Sequence, residues 1–376
     1  VTSEVFWTDP RAGVRDFADW ANTDFSLLTK LETLFKTCGC HDWIEKDDLV
    51  ALKVHFGDRG TTRGLRSVFV RKAAELVREA GGRPFATETC GLGMVMERCT
   101  APGRLAIAAE NGFTQETLGA PLIIADGLLG LDGVRVPAEG EGLSEVWAAR
   151  GIWEADKVIL LSHLTGHMGT AFGGAIKHLG IGCVTKATKY ALHCQGEMKI
   201  DPEKCNQCGA CVEICPVDAV VDFQIDTSGC VGCTGCAEVC PTGAVEVPWT
   251  GNRELSVGIG ESTAALLKAM GRDRFFGFNF LLEVTPHCDC CAFSDRPIVP
   301  DLGVLASSDL VALDRASLDQ VEASAGHQDS LLPPGATEAG AKKFETLFHD
   351  LDARWQLEAA ERHGAGSQDY RLIRIE

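Results

Sequence analysis

An α/β body with a mostly parallel sheet, two-lobed and carrying a small α+β domain spliced into its middle, is the fold this sequence predicts. Three observations predict it. Apolar runs of strand length alternate with amphipathic helical stretches over residues 49–162; eight cysteines fall in a doubled pattern between Cys205 and Cys240; and the strand and helix alternation resumes at Glu254. The expected boundaries are 1–198 for the first part of the body, 199–248 for the insert, and 249–376 for the completion of the body with a C-terminal helix. Insertions of this kind are tolerated at exposed loops whose flanking chain ends lie close together.

In chain order, Leu49 to Phe56 is an apolar run closed by Gly57, and Leu65 to Ala80 has helical periodicity ended by Gly81 and Gly82. Pro84 to Thr89 reads as the next strand, Leu105 to Asn111 as a helix, and Pro121 to Ala125 and Lys157 to Ser162 as further strands. Strands alternating with helices imply crossover connections and parallel pairing. After the cysteines, Glu254 to Met270 is helical, Arg274 to Val284 is a buried strand, and Asp309 to Val321 is helical again. Ala325 to Gly340 reads as a loop. Ala341 to His363 reads as one surface helix with Phe344, Leu347, Phe348, Leu351 and Trp355 along one face, which is core packing.

The insert is written twice. Cys205, Cys208, Cys211 and Cys215-Pro216 recur as Cys230, Cys233, Cys236 and Cys240-Pro241. A cubane iron–sulphur cluster needs four thiolates around one small volume, and in doubled runs of this spacing the fourth cysteine serves the other cluster. Cys205, Cys208, Cys211 and Cys240 are therefore assigned to one [4Fe-4S] cluster, and Cys230, Cys233, Cys236 and Cys215 to the second, as in a bacterial two-cluster ferredoxin. A pair of structural zinc sites is the alternative, but zinc takes four ligands and leaves the third cysteine of each run and both Cys-Pro steps without a role.

Outside the insert, the segment from His163 to Cys183 starts at the C-terminal end of an expected strand, where open α/β sheets place their ligands. It gathers His163, His167, the Gly173-Gly174 step, Lys177 and Cys183. Lys53 and His55 share one side of their strand because side chains alternate with period two, and a lysine in an apolar strand calls for an anion unless it reaches the strand end. His287, Cys288, Cys290 and Cys291 lie within five residues and could hold a metal or third cluster with Cys183 or Cys194, form a redox-active thiol pair, or pack as small apolar groups. Asp301 is a weaker candidate, as a base or a partner for Lys177. Cys90 faces a glycine-rich loop that lacks the features of a dinucleotide site, and Cys38, Cys40 and Cys99 are left unassigned.

With these motifs in order, the chain resembles, over nearly its full length, a prokaryotic family of iron–sulphur-centre proteins known mainly as a domain of unknown function. The residues that carry the resemblance are Lys53-Val54-His55, the His163 to Cys183 stretch, the doubled cysteine run, and Cys288-Asp289-Cys290 before Pro300-Asp301. It implies an α/β body with an inserted two-cluster ferredoxin and no settled reaction. Locally, His167, Phe172, Gly173, Gly174 and Lys177 are similar to the segment by which nickel-pincer lactate racemases present a histidine and a cofactor-anchoring lysine, with the glycine pair offset by one position. That similarity implies a pocket at His167 and Lys177, without the nickel cofactor or racemisation.

A formal charge of −18 argues against a nucleic-acid or anionic-membrane partner. Seventeen cysteines, eight of them in cluster spacing, suit a reducing compartment, and with no apolar stretch of membrane-spanning length the expected location is cytoplasmic. The expected function is an iron–sulphur oxidoreductase passing low-potential electrons to a small molecule bound near Lys53, His55, His163, His167 and Lys177, with a redox partner protein at the other end. The alternatives are a non-catalytic electron carrier and a metallocofactor assembly protein.

Overall fold

The computed structural model describes residues 2–375. Its main strands are β1 (Ser3–Thr8), β2 (Leu49–Val54), β3 (Arg83–Glu88), β4 (Leu122–Ile124), β5 (Lys157–His163), β6 (Phe275–Leu281), β7 (Gly303–Ser307) and β8 (Tyr370–Ile375). The helices that matter here are α1 (Leu27–Thr37), α2 (Ser67–Glu79), α3 (Ala101–Glu110), α4 (Ala175–Gly180), α5 (Lys186–His193), α6 (Asn252–Met270), α7 (Leu310–Ala323), α8 (Lys343–Leu347) and α9 (Arg354–Arg362).

All eight strands belong to one sheet in the order β8-β1-β7-β6-β5-β2-β3-β4. Pairing is parallel from β6 through β5, β2 and β3 to β4, and again between β1 and β8; β7 runs antiparallel to both its neighbours. The expectation of two lobes is therefore corrected. Hydrogen bonding between β5 and β6 carries a single sheet across the point where the sequence is interrupted, so both halves share one body.

Alternation along each strand builds a core on both faces. Val158 and Leu160 of β5 face one side with α4, α6, α7 and α9, whereas Ile159 and Leu161 face the other with α1 and α2. Phe276, Phe278 and Phe280 of β6 extend that second layer, where Phe278 stacks on Phe35 at 5.6 Å. No helix of the described residues is long and apolar enough to cross a membrane.

The expected helix over 341–363 is instead two, α8 and α9. Asp352 interrupts it: its carboxylate accepts hydrogen bonds from the backbone N–H of Arg354 at 2.9 Å and from the Arg354 guanidinium, so the chain restarts as a new helix. The apolar stripe is still used, since Phe344 and Leu351 are buried in the core and Leu347, Phe348 and Trp355 pack against it.

Residues 195–249 leave the body after α5 and return to α6. The isolated bridge between Cys194 and Trp249 and the antiparallel pair Lys199–Ile200 with Val245–Glu246 bring the two ends together. Within the loop, Val220–Val221 pairs with Gln224–Ile225, two short helices span Ala210–Glu213 and Gly235–Glu238, and a small core forms from Met198, Cys211, Val220, Cys236 and Val245.

The helix that carries Lys177 is fastened by a buried carboxylate. Asp314 of α7 accepts from the N–H groups of Ala175 and Ile176 at 2.7 and 2.9 Å and from the Asn279 amide at 2.7 Å. This approach explains the glycine step: a Cβ on Gly174 would stand 2.4 Å from the Asp314 oxygen. Asp314→Ala leaves the buried N–H groups of Ala175 and Ile176 without an acceptor, while the Asn279 amide keeps Ser317, and urea denaturation is expected to show a loss of about 2–4 kcal/mol.

Candidate functional site

Strand order reverses at β2, which has β3 on one side and β5 on the other. Open α/β sheets bind ligands at such a switch point, beyond the carboxyl ends of the strands. A cavity of about 260 Å³ lies there, walled by Lys53 and His55 from β2, Glu88 to Leu92 from β3, His163 to His167 after β5, and Cys288 to Cys290 after β6. Lys177 and His178 of α4 close it from the flanking layer.

Charge in this cavity is organised by Glu88, which is 3% exposed. Its carboxylate meets Lys53 Nζ at 2.7 Å and Arg104 Nη2 at 3.1 Å. Burial alone would raise its pKa, but the two cations overcome that cost and hold it well below the usual carboxylate range. The anion that a lysine in this strand calls for is thus supplied from within the protein, by Glu88. Lys177, by contrast, has Cys288 Sγ as its hydrogen-bond contact, at 3.7 Å, and forms no ion pair with a carboxylate among the described residues, although Asp289 acts on it from farther away. Burial works against its charge, and the neighbouring Cys288 and Cys290 sulfurs outweigh burial to raise its pKa.

Of the four histidines named from the sequence, His55, His163 and His167 line the cavity but are in different states, and His287 is not among its lining residues. His163 bonds Asp289 Oδ2 through Nδ1 and the Leu282 carbonyl through Nε2, each at 2.8 Å. Burial opposes its protonation, but the Asp289 carboxylate and the carbonyl raise its pKa to about 9. It is an imidazolium with both nitrogens engaged, so it positions Asp289 and has no proton to offer a ligand. In His55, Nδ1 accepts the Gly57 N–H at 2.8 Å, and burial lowers its pKa to about 4. In His167, Nδ1 accepts the Gly169 N–H at 3.1 Å, and burial followed by Lys177 holds it well below its ordinary value. A neutral ring whose Nδ1 accepts carries its proton on Nε2, so both are neutral Nε2–H donors.

Cys288 and Cys290 sit in a turn closed by the Cys291 N–H on the Cys288 carbonyl at 2.9 Å. The turn is pinned throughout. Thr61 Oγ1 donates to the Asp289 and Cys291 carbonyls at 3.0 and 2.9 Å, and Arg98 to the Cys290 carbonyl at 3.0 Å. Among the described residues, one group of three potential ligand atoms lies within 4.8 Å of one another: His167, Cys288 and Cys290. Cys183 is not part of it, since its thiol donates to the His178 carbonyl at 3.5 Å, away from the turn. Cys194 bridges to Trp249. Hydrogen bonding with Cys290 and then burial push the Cys288 thiol well up, whereas the half-buried Cys291 falls to about 7 through its hydrogen bond with Cys290. Asp301 does not approach Lys177; its carboxylate accepts the Glu283 N–H at 2.7 Å.

In the loop over residues 195–249, the two cysteine sets expected from the sequence line two separate small cavities. Cys205, Cys208, Cys211 and Cys240 surround one, and Cys215, Cys230, Cys233 and Cys236 the other. Backbone N–H groups point at matching sulfurs 25 residues apart. Gln207 N–H bonds Cys205 and Gly232 N–H bonds Cys230, each at 3.4 Å; Ala219 N–H bonds Cys215 and Ala244 N–H bonds Cys240, each at 3.2 Å. Such donors stabilise thiolate charge. The second set lies against the body, where Gly93 N–H donates to the Cys233 carbonyl at 3.0 Å and Glu238 accepts from Met94 and Val95 at 2.6 and 3.0 Å. Gly93 must be glycine there, with φ near +107° and Glu238 at 2.3 Å from where a Cβ would be. Cys208 of the first set is exposed.

Sequence reasoning missed Glu88, Arg104, His178, Lys189 and Asp289. Lys189 is buried and clamps the cavity wall through the Thr89 hydroxyl and the Cys90 and Val184 carbonyls at 2.8, 2.6 and 2.8 Å. His178 lines the cavity with its Nε2 unpartnered among the described residues.

The family described as Domain of unknown function (DUF362) matches residues 50–319. No curated protein matches the chain. Among solved structures, a Thermotoga maritima protein determined by a structural genomics consortium is similar at 9% identity and a TM-score of 0.38, covering 92% of this chain and 59% of that one, so this chain spans under two thirds of its length. The lactate racemase apoprotein of Thermoanaerobacterium thermosaccharolyticum is similar at 10% identity and a TM-score of 0.41, covering 100% of this chain and 83% of that one.

The state of His163 is directly measurable. Nitrogen-detected NMR of the imidazole is expected to find it protonated up to about pH 9, and Asp289→Asn to drop its pKa by leaving mainly the Leu282 carbonyl to oppose burial. Because the folded value lies above the unfolded one of 6.5, the pair's contribution to stability is complete below about pH 6.5 and is lost as pH rises through about 9.

Proposed function

The chain belongs to the DUF362 family, whose description names no activity, and from that premise we propose that it is an iron–sulphur oxidoreductase acting on a small anionic molecule in the switch-point cavity. One observation carries the proposal: the two cysteine sets assigned to two clusters each line their own cavity, and the inner set is hydrogen-bonded to the loop that walls the polar cavity. Residues 199–248 are read as an inserted domain holding both groups.

The donor sets suit [4Fe-4S] groups better than zinc. Zinc would leave the third cysteine of each run and both Cys-Pro steps without a role, whereas backbone N–H groups aimed at the sulfurs of Cys205, Cys215, Cys230 and Cys240 suit cluster thiolates. When bound, these groups supply one-electron transfer. The exposed Cys208 end is where a redox partner protein would dock.

The remaining roles fall to side chains of the cavity. Lys177 binds the anionic group of the substrate, since Lys53 and Arg104 are already paired with Glu88. His55 and His167 present Nε2–H groups as proton donors. Enclosure by both flanking segments favours an enzyme over a pure carrier, for which a shallow surface would suffice.

Anaerobically purified protein is expected to contain about eight irons and eight sulphides per chain and to give a low-temperature paramagnetic signal after dithionite. Cys233→Ser should remove about half the iron. Absence of iron, or of any signal after reduction, would end this reading.

A further inference from the structure

We infer that Cys288 and Cys290 form a redox-active dithiol that cycles with an internal disulfide, as the immediate electron acceptor in the cavity. The inference rests on the oxidoreductase reading for its electron source. Both thiols line the cavity, their sulfurs lie within 4.8 Å of each other, and the turn that carries them holds residues two apart within bridging distance. Asp289 between them is fixed by His163, and the turn's carbonyls are held by Thr61 and Arg98, so the pair is presented by a rigid support.

The same three side chains could be read as a metal site, and His167 decides between the two. A metal-bound imidazole offers one nitrogen to the ion and donates its other N–H to an acceptor. The Nδ1 of His167 instead accepts the Gly169 N–H at 3.1 Å, while the nearby Thr170 hydroxyl gives its proton to the Phe172 carbonyl at 2.9 Å. Its lone pair is occupied and Nε2 carries the proton. A neutral donor beside two thiols and an ammonium is an environment for proton-coupled sulfur chemistry.

The chemistry balances in both directions. Reduction breaks the Cys288–Cys290 bond with two electrons and two protons to give two thiols; the electrons come singly from a low-potential one-electron donor, one from each cluster under the proposed function. Lys177, 3.7 Å from Cys288 Sγ, stabilises the thiolate that forms first. In the other direction a small organic disulfide is the oxidant. One protein thiol attacks it and displaces a thiolate, the second displaces that mixed disulfide, the Cys288–Cys290 bond forms, and the two departing thiolates take the two protons. The substrate class is thus a small disulfide, carboxylated to match Lys177.

The test uses the full chain, equilibrated anaerobically in a series of reduced and oxidised dithiothreitol mixtures and then alkylated and mapped by mass spectrometry. The expected result is a single two-electron transition that links Cys288 to Cys290, abolished in Cys290→Ser and retained in Cys291→Ser. Dithiodiglycolate should oxidise the pair about tenfold faster than hydroxyethyl disulfide, and Lys177→Met should erase the difference. Thiols that stay free at the oxidising end, a bridge that involves Cys291, or a tightly held metal that shields both thiols from alkylation overturns the inference. Iron content and the paramagnetic signal, read on the same samples, report separately on the clusters. A dithiol that titrates in iron-free protein would leave this inference standing while the oxidoreductase reading fell.

Discussion

A buried carboxylate at the end of a central strand governs the chemistry of this fold. Glu88 is charged although almost fully buried, and that is tolerable because Lys53 arrives from the adjacent strand and Arg104 from α3. Removing either cation leaves a buried charge unbalanced, so β2, β3 and α3 are tied together by electrostatics as well as by packing. The same pairing sets what remains available. With two cations spent on Glu88 and Lys189 hydrogen-bonded into the cavity wall, Lys177 is the ammonium that meets the Cys288 thiol, with no carboxylate in ion-pair contact among the described residues.

The cysteine-rich loop is seated on that cavity's outer wall by a few specific contacts. Glu238 gathers two backbone N–H groups of the loop following β3, Cys233 offers its carbonyl to Gly93, and Tyr190 of α5 packs so closely on Gly232 that a Cβ there would lie 2.5 Å from its ring. These contacts make the two cysteine sets inequivalent although their sequences repeat. One faces the body and the other faces solvent, which gives the repeat a direction.

Much of this was legible in the sequence, for physical reasons that also explain what was not. Strand alternation and helix periodicity located most of the body, because burial on both faces of the sheet demands those patterns. The shared side of Lys53 and His55 followed from period two, and both do line the cavity. Glu88 was read only as part of a strand end. A charged residue closing a buried run needs a partner, and Lys53 at the end of the neighbouring strand was the available signal. The break between α8 and α9 was hidden because the apolar stripe continues across it, whereas Asp352 acts locally on the backbone. The single sheet was invisible for another reason: no local pattern states which strand pairs with which across an interruption.

That long-range pairing is what makes the site possible. His163 at the end of β5 stands opposite Phe280 of β6, and Leu164 donates to the Phe280 carbonyl at 3.1 Å, so the loops after the two strands must land side by side. One carries His167 into α4, and the other carries Cys288 and Cys290. The cysteine-rich loop begins after the first and ends before the second, with its ends joined near Cys194 and Trp249. A segment that leaves the body there lies between the parts of the chain that converge on the cavity, and the sheet is continuous across it. Its inner cysteine set then rests against Gly93, Met94 and Val95, which continue the loop that walls the cavity up to Leu92. Proximity of the thiol turn, the histidine loop and the cysteine-rich segment is thus a consequence of strand order, and specific side chains are needed only to fix the final few ångströms.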